Sequence, residues 1–245
     1  MKVAQKAGEI LLTSGAEIYR VEETIRRICE SYGVKCESFV LPTGVFISLA
    51  GDTGEPVTLT RRIRERTVDL HRIELVNTFS RSLKDNPVEY SEAMDTLLSI
   101  EGTRRFGFFL QLAAAGMTAL VFTLLFKGGM EEAVAAFFIS ILIFTFKEKV
   151  LQTGFFPFFE FFVSGAIAGG ASIAVTAVFP VLNVYKIIIG SIMILLPGVA
   201  ITNGIKDALY GDIVSSLSRL GEAAYIAAAV GAGVGIALSV GLRWV

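Results

Sequence analysis

Residues 194–212, ILLPGVAITNGIKDALYGD, gather polar residue types capable of chemistry in an otherwise apolar part of the chain. Pro197 and Gly198 predict a helix that stops or kinks, since Pro removes a backbone donor and clashes with the preceding turn and Gly is a poor helix former. A kink that only improves packing is one reading. The other is an interrupted membrane helix, whose free amides at one new end and free carbonyls at the other hold anions and cations. Thr202 is placed to cap the restarted half-helix. Asn203 and Asp207 fall four apart on one face, and Tyr210 lies three further, so the three form a polar strip that can line a pathway. A carboxylate there can exchange a proton or hold an ammonium, and its cost in a membrane segment makes Asp207 a functional candidate. Its alternatives are a structural partner for Lys206 or a backbone cap. Asp212 is either a pathway residue or the N-cap of the helix that follows it.

Two other groups of charge stand out. SGAEIYRVEE loosens a helix at Ser14-Gly15 just before Glu17, Arg20, Glu22 and Glu23. This pattern reads either as a solvated helix face with ion pairs or as a gating or docking element against the membrane part. Glu160, in FPFFEFFVSG, sits near a membrane boundary, where a carboxylate is either snorkelling or functional.

The elements that must position these residues follow from where the charge lies. The chain has 245 residues, 53% hydrophobic and 18% charged, and nearly all the charge precedes Arg105. That asymmetry predicts a cytosolic domain over 1–104 and a transmembrane domain over 105–245. Uncharged windows over 106–126, 133–146, 161–185, 187–205 and 223–242 predict five transmembrane helices, the fourth broken and the second short enough to be re-entrant. With a cytoplasmic N-terminus, Arg104, Arg105, Lys147, Lys149, Lys206 and Arg219 lie inside, against Lys127, Lys186 and Arg243 outside. That bias obeys the positive-inside rule and puts the C-terminus outside the cell membrane. Gly165 and Gly169, and Ala227, Gly231 and Gly235, have the spacing of closely packed membrane helices. Residues 206–222 read as an amphipathic interfacial helix with Arg219 on its solvated or paired face.

Ahead of the membrane region, Ala7, Leu11, Ser14, Ile18, Val21, Ile25 and Ile28 trace one face of a long helix over about 3–31. Alternating residues on either side of GDTGEP predict a two-stranded hairpin, interrupted at Pro42 in its first strand. A helix over 65–84 follows, then one from Asn86-Pro87 to about 101. This is a small α+β unit with too few strands for a nucleotide-binding sheet. A net charge of −1 argues against nucleic acid. Cys29 and Cys36 have no metal spacing and are expected to be reduced, and His71 is expected at the surface. No phosphate loop, catalytic triad order or uninterrupted signal-peptide core is present, so no cofactor, metal or catalytic residue is expected.

Two stretches together, GEILLTSGAEIYRVEETIRRICESYGV with PTGVFISL, and IIIGSIMILLPGVAITNGIKDALYGDIVSSLSRLGEAAYIAAAVGAGVG, resemble the threonine/serine exporter family. The likeness covers nearly the whole chain, RRIRERTVDLHRIELVN included. It implies a secondary exporter of small metabolites and not an enzyme. Members are either fused proteins or split pairs, and this chain resembles the larger member of a pair. The resemblance therefore implies a smaller membrane subunit of about 150 apolar residues and a small-molecule substrate, threonine/serine or a dicarboxylate such as succinate. An oligomer in the lipid bilayer is expected. Lys206 stands where the family more often has Arg, which keeps the charge but loses a planar fork for carboxylate binding, and Ser215-Ser216 stands in place of Ser-Gly. The alternatives are a membrane-anchored hydrolase acting through the cytosolic domain and a structural or regulatory subunit that does not itself transport.

Overall fold

A computed structural model describes residues 1–50, 56–104, 106–150 and 157–241. The chain is mostly helical, with one small sheet, and divides into two compact units. The first comprises Met1–Arg104 together with Gly198–Gly221; the second comprises Arg105–Pro197 and Glu222–Val245. Residues 198–221 thus fold with the N-terminal unit, although their sequence places them in the membrane region.

In the first unit the apolar stripe of the N-terminus is real, but it runs along two helices, α1 (Lys2–Thr13) and α2 (Ile18–Ser31). The single helix expected over 3–31 breaks because Gly15 has φ of +83°, the left-handed region that L side chains disfavour. A Cβ at Gly15 would also lie 2.9 Å from the Thr67 carbonyl, because the chain at 67–69 crosses the break. There the Thr67 amide donates to the Thr13 carbonyl at 2.8 Å and the Asp69 amide to the Ser14 carbonyl at 3.0 Å. The break lets α1 and α2 pack against each other, so Ala7, Leu11, Ile18, Val21, Ile25 and Ile28 all enter one core.

The sheet has three antiparallel strands, β1 (Cys36–Leu41), β2 (Gly44–Ala50) and β3 (Pro56–Arg62), in that spatial order. Pro42 does not interrupt a strand as expected. Pro42-Thr43 is the tight turn between β1 and β2, with Leu41 paired to Gly44, so the alternation read as one strand belongs to two. The expected turn at 51–55 lies outside the described residues. Val40, Val45 and Ile47 point into the core under α1 and α2.

Two further helices close this core, α3 (Leu70–Asp85) and α4 (Tyr90–Glu101). Asp69 caps α3 by accepting from the Arg72 amide at 3.0 Å. Asn86 ends α3, with φ of −145°, and is not the N-cap expected for the next helix; Glu89 takes that place. Cys29 is buried, Cys36 is half-buried and both are free. Burial and the neighbouring Cys36 push the Cys29 thiol up to about 12, so it stays protonated and unreactive.

The second unit holds α5 (Phe108–Leu125), α6 (Met130–Val150), α7 (Pro157–Val178), α8 (Val184–Ile192) and a 3₁₀ turn at Met193–Leu195. The remaining helices are α9 (Gly198–Leu209) and α10 (Ile213–Gly241), the latter running from the first unit into the second. Phe108–Leu125, Phe158–Val178 and Ile213–Gly241 are long and apolar enough to cross a membrane, and a fourth crossing exists if Val184–Leu195 and Gly198–Leu209 form one broken span. Among the five expected spans, 133–146 lies inside α6, where Glu131 and Glu132 at one end and Lys147, Glu148 and Lys149 at the other bound an uncharged stretch. That stretch rises only about 21 Å, short of a hydrocarbon core of about 30 Å.

Gly165 permits a close helix contact, since a Cβ there would collide with the Val230 carbonyl of α10. Gly231 and Gly235, expected to serve the same purpose, have no neighbour within 4 Å of where a Cβ would stand. Gly233 makes the close approach instead, against Phe162. No separate interfacial helix exists over 206–222, because residues 213–222 are the first turns of the 29-residue α10.

Candidate functional site

Within the first unit, the break between α1 and α2 is met by α9 and the first turns of α10. The turn at Ser14–Glu17 leaves backbone groups without helical partners, and α9 with the first turns of α10 supplies side chains that satisfy them. Asn203 donates its amide to the Gly15 carbonyl at 2.8 Å. Arg219 donates through Nη2 to the Ala16 carbonyl at 2.7 Å. Asp207 accepts the Ile18 amide through Oδ1 at 3.2 Å and so caps α2 from 189 residues away. Its other oxygen, Oδ2, forms an ion pair with Arg219 Nε at 2.9 Å. Of the alternatives for Asp207, the backbone cap is therefore observed, and its charged partner is Arg219 and not Lys206.

Lys206 reaches Glu17, with Nζ 2.9 Å from Oε1. Arg20 holds the other carboxylate oxygen through Nε at 2.9 Å and leans over Tyr19. Burial pushes the Glu17 carboxyl up, but the Lys206 and Arg20 cations outweigh it and hold the group below the usual carboxylate range. Asp207 and Arg219 are nearly solvent-free, with side chains 0% and 5% exposed, whereas Lys206 is 43% exposed. The Asp207–Arg219 pair is the expensive one, because two desolvated charges persist only when each is compensated.

Other residues singled out by sequence take plainer places. Pro197 lies in the break before α9, and Gly198 opens that helix. Thr202 does not cap it: its hydroxyl donates to the Gly198 carbonyl at 2.9 Å, one turn back in the same helix, and the residue is exposed. Tyr210 is exposed and stacks on Tyr19, with ring centroids 4.0 Å apart. Asp212 is the N-cap of α10, accepting from the Ser215 amide at 3.1 Å. Glu22 accepts the Val40 amide at 3.1 Å and ties α2 to β1; burial raises its pKa, as does nearby Asp212, against that hydrogen bond. Glu160, in the second unit, pairs with Lys147 at 3.2 Å between α7 and α6. Among the described residues no group of three His, Cys, Asp or Glu stands close enough to hold a metal ion.

Sequence reasoning placed Arg219 on a solvated or paired face; it is paired, with Asp207, and buried. The available signal was Ser215-Ser216, since small residues one turn before an Arg mark the side of α10 that a neighbour covers, and both serines are buried. Beside this network a cavity of about 400 Å³ opens between α2, α3 and α9, lined by polar groups that include Glu17, Arg20, Glu74, Arg81 and Asn203.

The chain is similar to curated proteins over nearly its whole length. The chain is 25% identical to the "Probable succinate transporter subunit YjjP" of Escherichia coli K12 over 98% of its own length and 94% of that protein. It is 25% identical to the "Probable threonine/serine exporter" of Mycobacterium tuberculosis over 95% of its length, covering 44% of that longer protein. Identity to the "Threonine/serine exporter" of Corynebacterium glutamicum is 23% over 97% of this chain and 50% of the other. No solved structure matches the chain. The family model for threonine/serine exporters (ThrE) matches residues 2–241, and the chain belongs to that family.

Proposed function

We propose that this chain is the larger subunit of a secondary-active exporter that carries threonine, serine or a small dicarboxylate such as succinate across the cell membrane. A smaller membrane subunit completes the transporter. The bias of Lys and Arg supports five crossings, α6 included, with the N-terminus cytoplasmic and the C-terminus outside.

The observation that carries this reading is the convergence of both signature stretches on one charged network. Asp207 and Lys206 of α9, with Arg219 of α10, tie these helices to the Glu17 turn. Every tie is one that a proton or a substrate carboxylate competes for. Protonation of Asp207 removes the charge that holds Arg219, and a carboxylate ligand offers Lys206 an alternative to Glu17. Either event loosens α9, which follows Pro197 in the candidate broken span, so substrate or proton binding is coupled to movement of that span. Pro197 and Gly198 supply the hinge, Asn203 and Asp207 the polar contacts, and Tyr210 and Asp212 the end of the moving helix. Glu17, Arg20 and Glu22 form the fixed side.

The test is transport in proteoliposomes containing this chain alone, the smaller subunit alone, and both, screened with labelled serine, threonine and succinate under imposed proton gradients. Flux that needs both subunits and responds to the gradient is expected. Flux from the smaller subunit alone at the full rate would reduce this chain to an accessory.

A further inference from the structure

We propose that the cleft between α2, α3 and α9 binds a small zwitterion, an α-amino acid, with its carboxylate at Arg81 and its ammonium at Glu74. The choice of ligand class rests on the exporter reading; the geometry of the cleft does not.

Four charged side chains line the cavity: Glu17, Arg20, Glu74 and Arg81. Glu17 and Arg20 pair with each other, and Glu17 also holds Lys206. Glu74 and Arg81 make no ion pair among the described residues. They lie on one stripe of α3, seven residues and about 10 Å of helix apart, beyond the one-turn spacing at which side chains on a helix meet directly. An exposed acid and an exposed base on one stripe of α3 thus line a cleft of about 400 Å³ without pairing to each other.

The amides between them complete the match. Asn77 uses its carbonyl oxygen to accept from the Thr24 hydroxyl at 3.3 Å, which leaves its NH₂ for a carboxylate. Asn203 uses its NH₂ on the Gly15 carbonyl, which leaves its oxygen for an ammonium or hydroxyl. Ile73 and Val199 give the aliphatic part of the ligand an apolar wall. The four lining charges sum to zero, so a zwitterion is accommodated without excess charge. A dicarboxylate would place a second anion against Glu74, and that repulsion is the discriminating element.

Binding is read by equilibrium dialysis of labelled L-threonine, L-serine and succinate against the full chain in nanodiscs, with flux measured in parallel on both subunits in proteoliposomes. Wild type is expected to bind an amino acid and to bind succinate much more weakly. Glu74→Gln, which keeps side-chain size, and Arg81→Gln, which shortens the side chain, both at exposed positions, should each weaken amino-acid binding by about ten-fold or more, the loss expected for a charged hydrogen bond. Arg81→Lys should recover part of it. Glu74→Arg should abolish amino-acid binding and create succinate binding, an exchange that a purely structural role would not produce. Unchanged affinity in both Gln variants, equal binding of succinate by wild type, or no amino-acid binding at all would overturn the proposal. Flux by wild type that survives those results leaves the exporter reading standing, whereas binding at the cleft without flux removes the exporter reading and keeps the site.

Discussion

Replacing Arg219 with Met tests how firmly the α1–α2 turn is joined to α9 and α10. The Arg219 side chain is 5% exposed, and its guanidinium pairs with Asp207 at 2.9 Å and donates to the Ala16 carbonyl at 2.7 Å. Met fills much of the same volume but removes both interactions, and Asp207, with a fully buried side chain, keeps only the Ile18 amide. Removing one partner of a buried ion pair costs about 3–5 kcal/mol, mostly from the charge left behind. At about 1.36 kcal/mol per ten-fold, the α9 segment should open at least about 150 times more often. Hydrogen exchange read by mass spectrometry on peptides covering 14–20 and 203–219 measures this opening directly, with peptides from the β1–β2 hairpin as the internal reference. Arg219→Met and Asp207→Asn should each accelerate exchange there by that factor. The double variant Asp207→Leu/Arg219→Met should recover much of the protection, because an apolar pair leaves no uncompensated charge. Exchange within about five-fold of wild type in both single variants would refute the claim that this pair holds the junction.

Gly15→Ala should destabilise the first unit by about 1–2 kcal/mol, since φ of +83° is unfavourable for Ala and its methyl meets the Thr67 carbonyl; denaturant unfolding followed by circular dichroism checks this. The folded-state pKa of Glu17 is lowered, so its contribution is present above the unfolded value of about 4.5 and is lost as pH falls through the folded one. Glu17→Gln should therefore flatten the acid limb of the melting temperature against pH, and an unchanged limb would exclude Glu17 as its source. Glu22 has the opposite sign: its raised folded pKa makes stability fall as pH rises from about 4.5, and Glu22→Gln should remove that fall. Tyr210→Ala should cost about 0.5–1.5 kcal/mol through loss of the Tyr19 stack, and a double-mutant cycle with Tyr19→Ala isolates the term.

The parts of this molecule legible from sequence are those specified by neighbours in the chain. The stripe Ile18, Val21, Ile25 and Ile28 reports the buried face of α2 because helical spacing alone puts those side chains together. The same periodicity concealed the break before it, since Leu11, Ser14 and Ile18 continue the pattern across the turn and only Gly15 signals the reversal. Alternation failed in the same way at Pro42, where a two-residue turn preserves the period of two while reversing the strand. The candidate site was half legible. Asp207, Asn203 and Glu17 stood out as polar residues with a cost to explain, but their partners are fixed by tertiary packing. Ile18 lies 189 residues from Asp207, and Arg219 read as part of a solvated or paired face without its partner, because nothing local announces what covers it.

In the proposed mechanism this charged junction couples α9 to transport. Its most direct test is the initial rate of substrate efflux from proteoliposomes holding both subunits, wild type against Asp207→Asn, at matched incorporation and over a range of pH. Such coupling predicts a large loss of gradient-driven flux in the variant, with its pH dependence flattened. Undiminished flux at every pH would contradict it.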